Sequence, residues 1–267
     1  MIPLGAPRSK ALFLTMAGPG RSKNEDMILC GGARSFLSMD SPMMVTDPGP
    51  LAAVADGMGG GPGGALAAER VLSALSRLGN RPRDLLEAKG RLETSLFGAA
   101  ESLSAQARGA PELSGMGAAV AGLWLGDGKA TVFNCGDCRV YRCRQGVMDY
   151  LTRDHSAVYD LYLEGHVKRS ELREHPLRSL ITRAVQEGNI SSLEVFAREV
   201  TLRRGDVFLI CSDGLWEALD EDEIEESLAA SDLAVSAWGL LDALADVGLA
   251  DDCSFVLLGD IELEGQG

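Results

Sequence analysis

Residues 117–144 read GAAVAGLWLGDGKATVFNCGDCRVYRCR. Three apolar and β-branched runs, 117–125, 129–135 and 139–144, predict three consecutive strands with no helix between them. Working outward, similar short runs predict strands at 11–17 (ALFLTMA), 26–31, 51–55 (LAAVA), 193–200, 206–211 (DVFLIC) and 253–259 (CSFVLLG). Helical periodicity appears at 64–78, 84–107, 154–164, 221–230 and 233–246. In 84–107, Leu85, Leu92, Leu96 and Leu103 form one apolar stripe. The order is strands, two helices, strands, two short helices, strands, two helices, strand. A doubly wound sheet would alternate steadily. Segregated strands and paired helices predict an α+β protein, with antiparallel sheets packed together and helices covering them. Residues 37–50, LSMDSPMMVTDPGP, are expected to form a long loop, because Pro42, Pro48 and Pro50 exclude a strand interior.

The formal net charge is −14, from 39 acidic against 25 basic residues. A surface that negative repels nucleic acid and anionic membrane. No apolar run approaches the ~20 residues that span a bilayer. Residues 8–18 carry basic residues ahead of a short apolar stretch, as a leader peptide does. That stretch contains Thr15 and runs straight into Arg21, so a first strand and a cytoplasmic chain are expected. The six cysteines do not form a secreted-type disulfide framework, and Cys135 and Cys138 have no second pair at zinc-ribbon spacing.

The chemistry is written at strand ends. LAAVA is followed by Asp56-Gly57, VFLICS by Asp213-Gly214 and VFNC by Gly136-Asp137, while Asp251-Asp252 precedes CSFVLLG. Hard divalent cations take several short-range oxygen ligands, which aspartates at strand ends supply from a rigid rim. Glycine beside the carboxylate lets backbone approach closely enough for its carbonyl to serve as well. Each Asp-Gly alone is ordinary turn chemistry. Four in one chain point to a shared site if the strand ends converge.

These segments resemble a known family. Arg21-Ser-Lys-Asn-Glu25-Asp26 is similar to the R-x-x-N-E-D opening of the type 2C, metal-dependent serine/threonine protein phosphatases, and VADGMGG (54–60) resembles their bacterial V-A-D-G-M-G-G. NCGDCRVY (134–141), LTRDHS (151–156), LITRAV (180–185), LICSDGLWE (209–217) and ADDCSFVLL (250–258) resemble further motifs in family order. The resemblance spans residues 11–260. It implies a central antiparallel β-sandwich flanked by pairs of helices on both faces, as a single domain over residues 1–267. It implies Mn²⁺ or Mg²⁺, with two tight sites and a third weaker one. Asp56 would bridge two metals, with the Gly57 carbonyl on the first. Glu25, Asp213 and Asp251 would serve the second, directly or through water. Asp137 with Asp213 would hold the third, and Arg21 would grip the substrate phosphate. The implied reaction is in-line attack on phosphorus by a hydroxide bridging the metals. Phosphoserine and phosphothreonine proteins would be the substrates of a monomeric enzyme that counteracts a serine/threonine kinase. Residues 154–179 occupy the position of the family's flap, where substrate choice would reside.

The chain departs from the family in places. Met58 stands where many eukaryotic members have histidine, so water would protonate the leaving alkoxide. Cys138 replaces the usual serine. Asp252 replaces asparagine, which leaves two aspartates in competition; Asp251 is assigned as the ligand because Ser254 then matches the family's Ser/Thr. Other readings are weaker. Gly59-x-Gly61-x-x-Gly64 matches a dinucleotide fingerprint, but the acidic partner, Asp84, does not follow a second strand. Cys138 and Arg144 match the C-x5-R of cysteine-dependent phosphatases, yet the segment between alternates like a strand. A catalytically inactive phosphoprotein-binding module is disfavoured because every expected ligand is present. His155 is expected to be a structural hydrogen-bonder at a helix start, with His166 and His175 in the flap. The acidic run Asp220–Glu226 is expected to be a solvated helix start.

Overall fold

The computed structural model describes residues 9–262 except 22, 32, 36–37, 60–62, 80, 189–192 and 231. Gly61, part of the dinucleotide-like motif, lies outside the described residues.

The first sheet runs in the order β4 (Met43–Thr46), β1 (Lys10–Met16), β13 (Cys253–Gly259), β12 (Val207–Cys211), β8 (Arg139–Arg144), β9 (Val147–Tyr150). The second runs β11 (Phe196–Thr201), β7 (Lys129–Cys135), β6 (Gly117–Leu125), β5 (Leu51–Met58), β2 (Asp26–Cys30), β3 (Ala33–Ser35), with β10 (Val185–Gln186) on the end of β6. All these pairings are antiparallel.

The strands read as unbroken apolar runs because both faces are covered. Phe13, Val54, Ala121, Val132, Phe208, Ile210 and Val256 point between the sheets. Their strand neighbours point outward: Met27, Ala55 and Val120 meet helices α1 (Gly63–Leu75) and α2 (Leu85–Gly109). Leu14, Leu209 and Leu257 meet α5 (Glu221–Leu228) and α6 (Leu233–Val247) on the opposite side. Between these lie α3 (Ala157–Leu163) and the single-turn α4 (Asp213–Trp216). This is the expected sandwich with a helix pair on each face. No helix among the described residues is long and apolar enough to cross a membrane.

Helix starts follow local capping chemistry. Asp84, the acid a dinucleotide site would need, instead caps α2, accepting from the Glu87 N–H at 2.8 Å. Asp220 and Glu223 form a reciprocal capping box on α5, which accounts for the acidic run.

One expectation is corrected. Within 37–50, Met43–Thr46 forms edge strand β4, paired with β1 from Lys10↔Thr46 to Phe13↔Met43. Pro42 and Pro48 flank it without interrupting its ladder, and an edge strand tolerates them there. Segment 154–179 holds α3 and a 3₁₀ turn at Arg169–Glu171. Arginines fasten it to the outer helices: Arg169 pairs with Glu221 at 3.1 Å, and Arg173 donates to the Ala218 carbonyl at 3.1 Å.

Candidate metal centre

Antiparallel pairing brings the end of one strand beside the start of the next, and here it gathers the acidic ends at one edge of the sandwich. Asp26, first in β2, pairs with Asp56, near the end of β5. Cys211, last in β12, pairs with Arg139 at the start of β8 and with Phe255 near the start of β13. Asp213 therefore leaves β12 beside the 136–138 turn and beside the Asp251-Asp252 entry to β13. The two sheets are laced together just below. Ser212 Oγ donates to Asp26 Oδ2 at 2.6 Å, Ser254 N donates to Ser212 Oγ at 2.9 Å, and Ser254 Oγ and Asn24 Nδ2 both donate to Thr15 Oγ1.

Glycines make the gathering sterically possible. A Cβ on Gly57 would lie 2.2 Å from the Gly64 carbonyl oxygen and 2.7 Å from that of Glu25. A Cβ on Gly214 would lie 2.0 Å from the Asp252 carbonyl oxygen. Only hydrogen fits, so the strand carrying Asp56 closes against the start of α1, and the turn carrying Asp213 closes against the entry to β13.

The electrostatics are those of anions crowded in a low dielectric. The Asp56 and Asp213 carboxyls lie close enough for each to shift the other's proton affinity. Burial first, then repulsion from Asp213, Asp26 and Asp137, pushes the Asp56 carboxyl well above the usual range. Burial and Asp251 raise Asp213 to about 6. Burial raises Asp26 to about 8 against the opposing Ser212 hydrogen bond. Asp137 is held well above its ordinary value by burial and Asp213, and Glu25 is raised mainly by burial. Asp26 Oδ1 and Asp137 Oδ1 are buried without a hydrogen-bond partner. Buried oxygens left unsatisfied are costly, and a cation removes both that cost and the mutual repulsion. An all-oxygen, carboxylate-rich set suits Mg²⁺ or Mn²⁺. As they stand, no three His, Cys, Asp or Glu side chains among the described residues form a ready-made coordination group.

Arg21 lies over the acidic cluster, paired with Asp251, with Asp252 at 3.4 Å and with Glu25 at 3.7 Å. The two neighbouring aspartates divide their work. Asp252, 3% exposed, accepts from the Gly18 and Glu25 backbone N–H groups at 2.8 and 2.7 Å, which is structural bonding an asparagine could share. Asp251, 42% exposed, makes no such backbone bridge to β1 or β2 and faces Asp213 closely enough to raise it. Every expected site residue, Arg21, Glu25, Asp56, Gly57, Asp137, Asp213 and Asp251, thus lies on this edge.

Two features escaped the sequence reading. Asp26 is one: it sits in the quoted R-x-x-N-E-D segment but reads there as the opening residue of a strand. The other is a support behind Asp137. Trp216 Nε1 donates to the Asp137 carbonyl at 3.0 Å. Arg139 stacks 3.6 Å from the Trp216 ring centre and forks onto Asp154 at 2.6–3.2 Å. A cavity of about 530 Å³ opens on the other side of this stack, beneath 154–179, lined in part by Arg139, Tyr150, Tyr159 and Trp216. None of the clustered carboxylates lines it; its acidic residues are Asp154, the Arg139 partner, and Asp220 and Glu221 at the start of α5.

The remaining sequence candidates resolve simply. His155 is buried; its Nδ1 accepts from the Gly136 N–H at 3.2 Å and its backbone N–H donates to the Gly136 carbonyl at 2.9 Å, fixing the Asp137 turn. Cys138 is fully buried and its thiol is pushed well above the ordinary range by burial and by the surrounding aspartates. Arg144, at the far end of β8, is committed to Asp206 at 2.6 and 2.7 Å. The five residues between hold them about 20 Å apart in an extended strand, so they form no phosphate loop. All six cysteines are buried and unpaired.

Known proteins share this arrangement of sequence and fold. A family model described as protein phosphatase 2C matches residues 39–247. The serine/threonine protein phosphatase PstP of Mycobacterium tuberculosis is 30% identical over 245 residues, covering 91% of this chain. The chain spans only 43% of the length of PstP. The serine/threonine phosphatase stp of Listeria monocytogenes is 32% identical over 222 residues, 82% of each chain. A crystal structure of PstP superposes with a TM-score of 0.79 at 28% identity, covering 94% of this chain and 98% of that one. Another, of the PstP catalytic domain in complex with two manganese ions, superposes at 0.74 and 26% identity with the same coverage.

Proposed function

The chain belongs to the protein phosphatase 2C family, and on that premise we propose that it is a metal-dependent phosphatase of phosphoserine and phosphothreonine proteins. The observation that carries the reading is the convergence of buried and half-buried, mutually repelling carboxylates, two with unpartnered oxygens, beneath a single arginine.

In this reading Asp56, with the Gly57 carbonyl beside it, would hold the cations. Glu25, Asp213 and Asp251 would contribute to the two tight sites, and Asp137 with Asp213 to a weaker third. Asp26 supports the set from beneath, its charge facing Asp213 and Asp56. Bound there, Mn²⁺ or Mg²⁺ would supply Lewis acidity toward the phosphoryl oxygens and lower the pKa of attacking water. PstP bears on the metal through its two manganese ions. Arg21, paired here with Asp251, would offer its guanidinium fork to the substrate phosphate, where charge-assisted bonds orient phosphorus for attack. Met58, partly buried on the rim, offers no proton, so water protonates the leaving alkoxide. The six reduced, buried cysteines suit a reducing compartment, and a monomer that opposes a serine/threonine kinase in the cytoplasm is the setting this reading favours.

The inactive-module alternative is disfavoured by the complete carboxylate rim, and the cysteine-dependent one by the burial of Cys138. The test is phosphate release from phosphoserine, phosphothreonine and phosphotyrosine peptides with Mn²⁺ and with excess chelator. Release from the first two, abolished by chelator, is expected. Chelator-resistant release, or release from phosphotyrosine alone, refutes the proposal.

A further inference from the structure

On the outer surface, the antiparallel helices α1 and α2 enclose a groove of about 490 Å³. Its lining includes Arg70, Arg77 and Arg91 together with Ser95, Ser102 and the apolar Leu78, and no aspartate or glutamate. In a chain of 39 acidic and 25 basic residues, that is a local inversion of charge. Glu69, Glu93 and Glu101 belong to the same helices but do not line the groove.

The three arginines are held differently. Arg91 is paired with Glu87 at 3.5 Å and stacks on Trp124, which fixes the far end. Arg70 is held by a neutral group: with the Gln106 amide turned so that its oxygen faces Arg70, Nη2 and Nε donate to it at 2.9 and 3.0 Å. Its direction is set by that amide, and no ion pair to it is formed among the described residues. Arg77, exposed, has no carboxylate partner among the described residues.

The groove is also aligned with the acidic rim. Gly64, against which the Glu25 carboxylate packs, is in the first turn of α1, and Arg70 and Arg77 follow it toward and beyond the end of the same helix. At about 1.5 Å per residue they lie about 9 and 20 Å from Gly64 along the axis. An extended peptide covers that span in roughly three to six residues at about 3.3 Å each.

We propose that this groove docks an acidic segment of the phosphoprotein substrate, three to seven residues away from the phosphorylated side chain. The proposal rests on the phosphatase reading for its direction, and charge complementarity selects the occupant. Exposed arginines on such a path act through long-range attraction, so the contribution falls with salt.

The experiment uses phosphothreonine peptides sharing one core, with four aspartates or four serines placed five residues to either side. It compares the unaltered protein with the Arg70→Gln/Arg77→Gln variant. For one of the two placements, the unaltered protein is expected to favour the acidic peptide about tenfold in kcat/KM at low salt, through KM. The variant should lose that preference while turning over the serine peptide normally, and ~0.5 M salt should erase it in the unaltered protein. In parallel, fluorescence anisotropy of the labelled, unphosphorylated acidic peptide on metal-free protein should show about tenfold weaker binding to the variant. If no peptide is dephosphorylated, the phosphatase reading fails and anisotropy alone decides the groove. Equal preference and equal peptide binding in the two proteins overturn the proposal.

Discussion

Replacing Gly57 by alanine is expected to damage the site without touching any charged group. The added Cβ would stand 2.2 Å from the Gly64 carbonyl oxygen, where ordinary contact begins near 3.4 Å. A gap of about 1 Å must therefore open. Strand β5 cannot supply it, because β2 and β6 grip it on both sides through Asp26↔Asp56 and Gly57↔Ala118. The start of α1 must move instead, and with it Gly64, whose own Cβ position lies 2.8–2.9 Å from the Glu25 carboxylate. Overpacking of this kind costs about 1–3 kcal/mol, which lowers the melting temperature by roughly 2–10 °C in a chain of this size. A displacement near 1 Å beside reacting groups costs about a hundredfold in turnover. The assay pairs thermal melts with Mn²⁺-dependent phosphate release. Gly90→Ala is the control: Gly90 is exposed within α2 and its Cβ would meet nothing within 4 Å, so stability should rise by about 0.5–1 kcal/mol with turnover unchanged. A Gly57→Ala protein that melts and turns over normally refutes the close-approach argument.

Three further outcomes follow from the same geometry. Trp216→Phe keeps a ring for Arg139 but removes the N–H on the Asp137 carbonyl; kcat should fall severalfold with KM for a small phosphomonoester nearly constant, and an unchanged kcat would detach Trp216 from Asp137. Cys138→Ser should retain most activity whereas Asp137→Ala loses it, and a dead serine variant beside a healthy alanine variant would return the cysteine route to contention. His155, lowered to about 4 chiefly by burial, takes up its proton more readily when unfolded. Its contribution is therefore present above about pH 6.5 and lost as pH falls toward 4, amounting to as much as about 3 kcal/mol. Denaturant titrations over that range should show a steeper decline than in His155→Gln, and parallel curves would refute the assignment.

The layered fold was legible because strands covered on both faces leave unbroken apolar runs such as 117–125 and 253–259, and because α2 carries its stripe and its Asp84 cap in sequence. Two of the edge strands were not. Met43–Thr46 and Val147–Tyr150 are short and half-exposed, and their identity comes from the partner strand, β1 or β8, and not from their own composition. The site aspartates were visible through their glycines, since Gly57 and Gly214 mark the close approaches. Asp26 has no glycine beside it and looks like any strand residue until Ser212, 186 positions away, donates to it. The Trp216–Asp137 link joins residues 79 apart and has no local signature. The choice of Asp251 over Asp252 rests on motif register in the sequence; that Asp252 accepts from the backbone N–H groups of Gly18 and Glu25 has no signature there.

The central claim is that this rim of carboxylates holds the cations on which phosphate release depends. Its most direct test is calorimetric titration of Mn²⁺ into metal-free protein and into Asp56→Asn, with phosphate release from a phosphothreonine peptide followed in the same samples. Two tight sites should appear in the unaltered protein, with activity rising as they fill, and both tight binding and activity should be lost in the variant while its melting profile stays cooperative. Full phosphate release by protein verified metal-free by elemental analysis, or two tight sites and normal release in Asp56→Asn, would contradict the account.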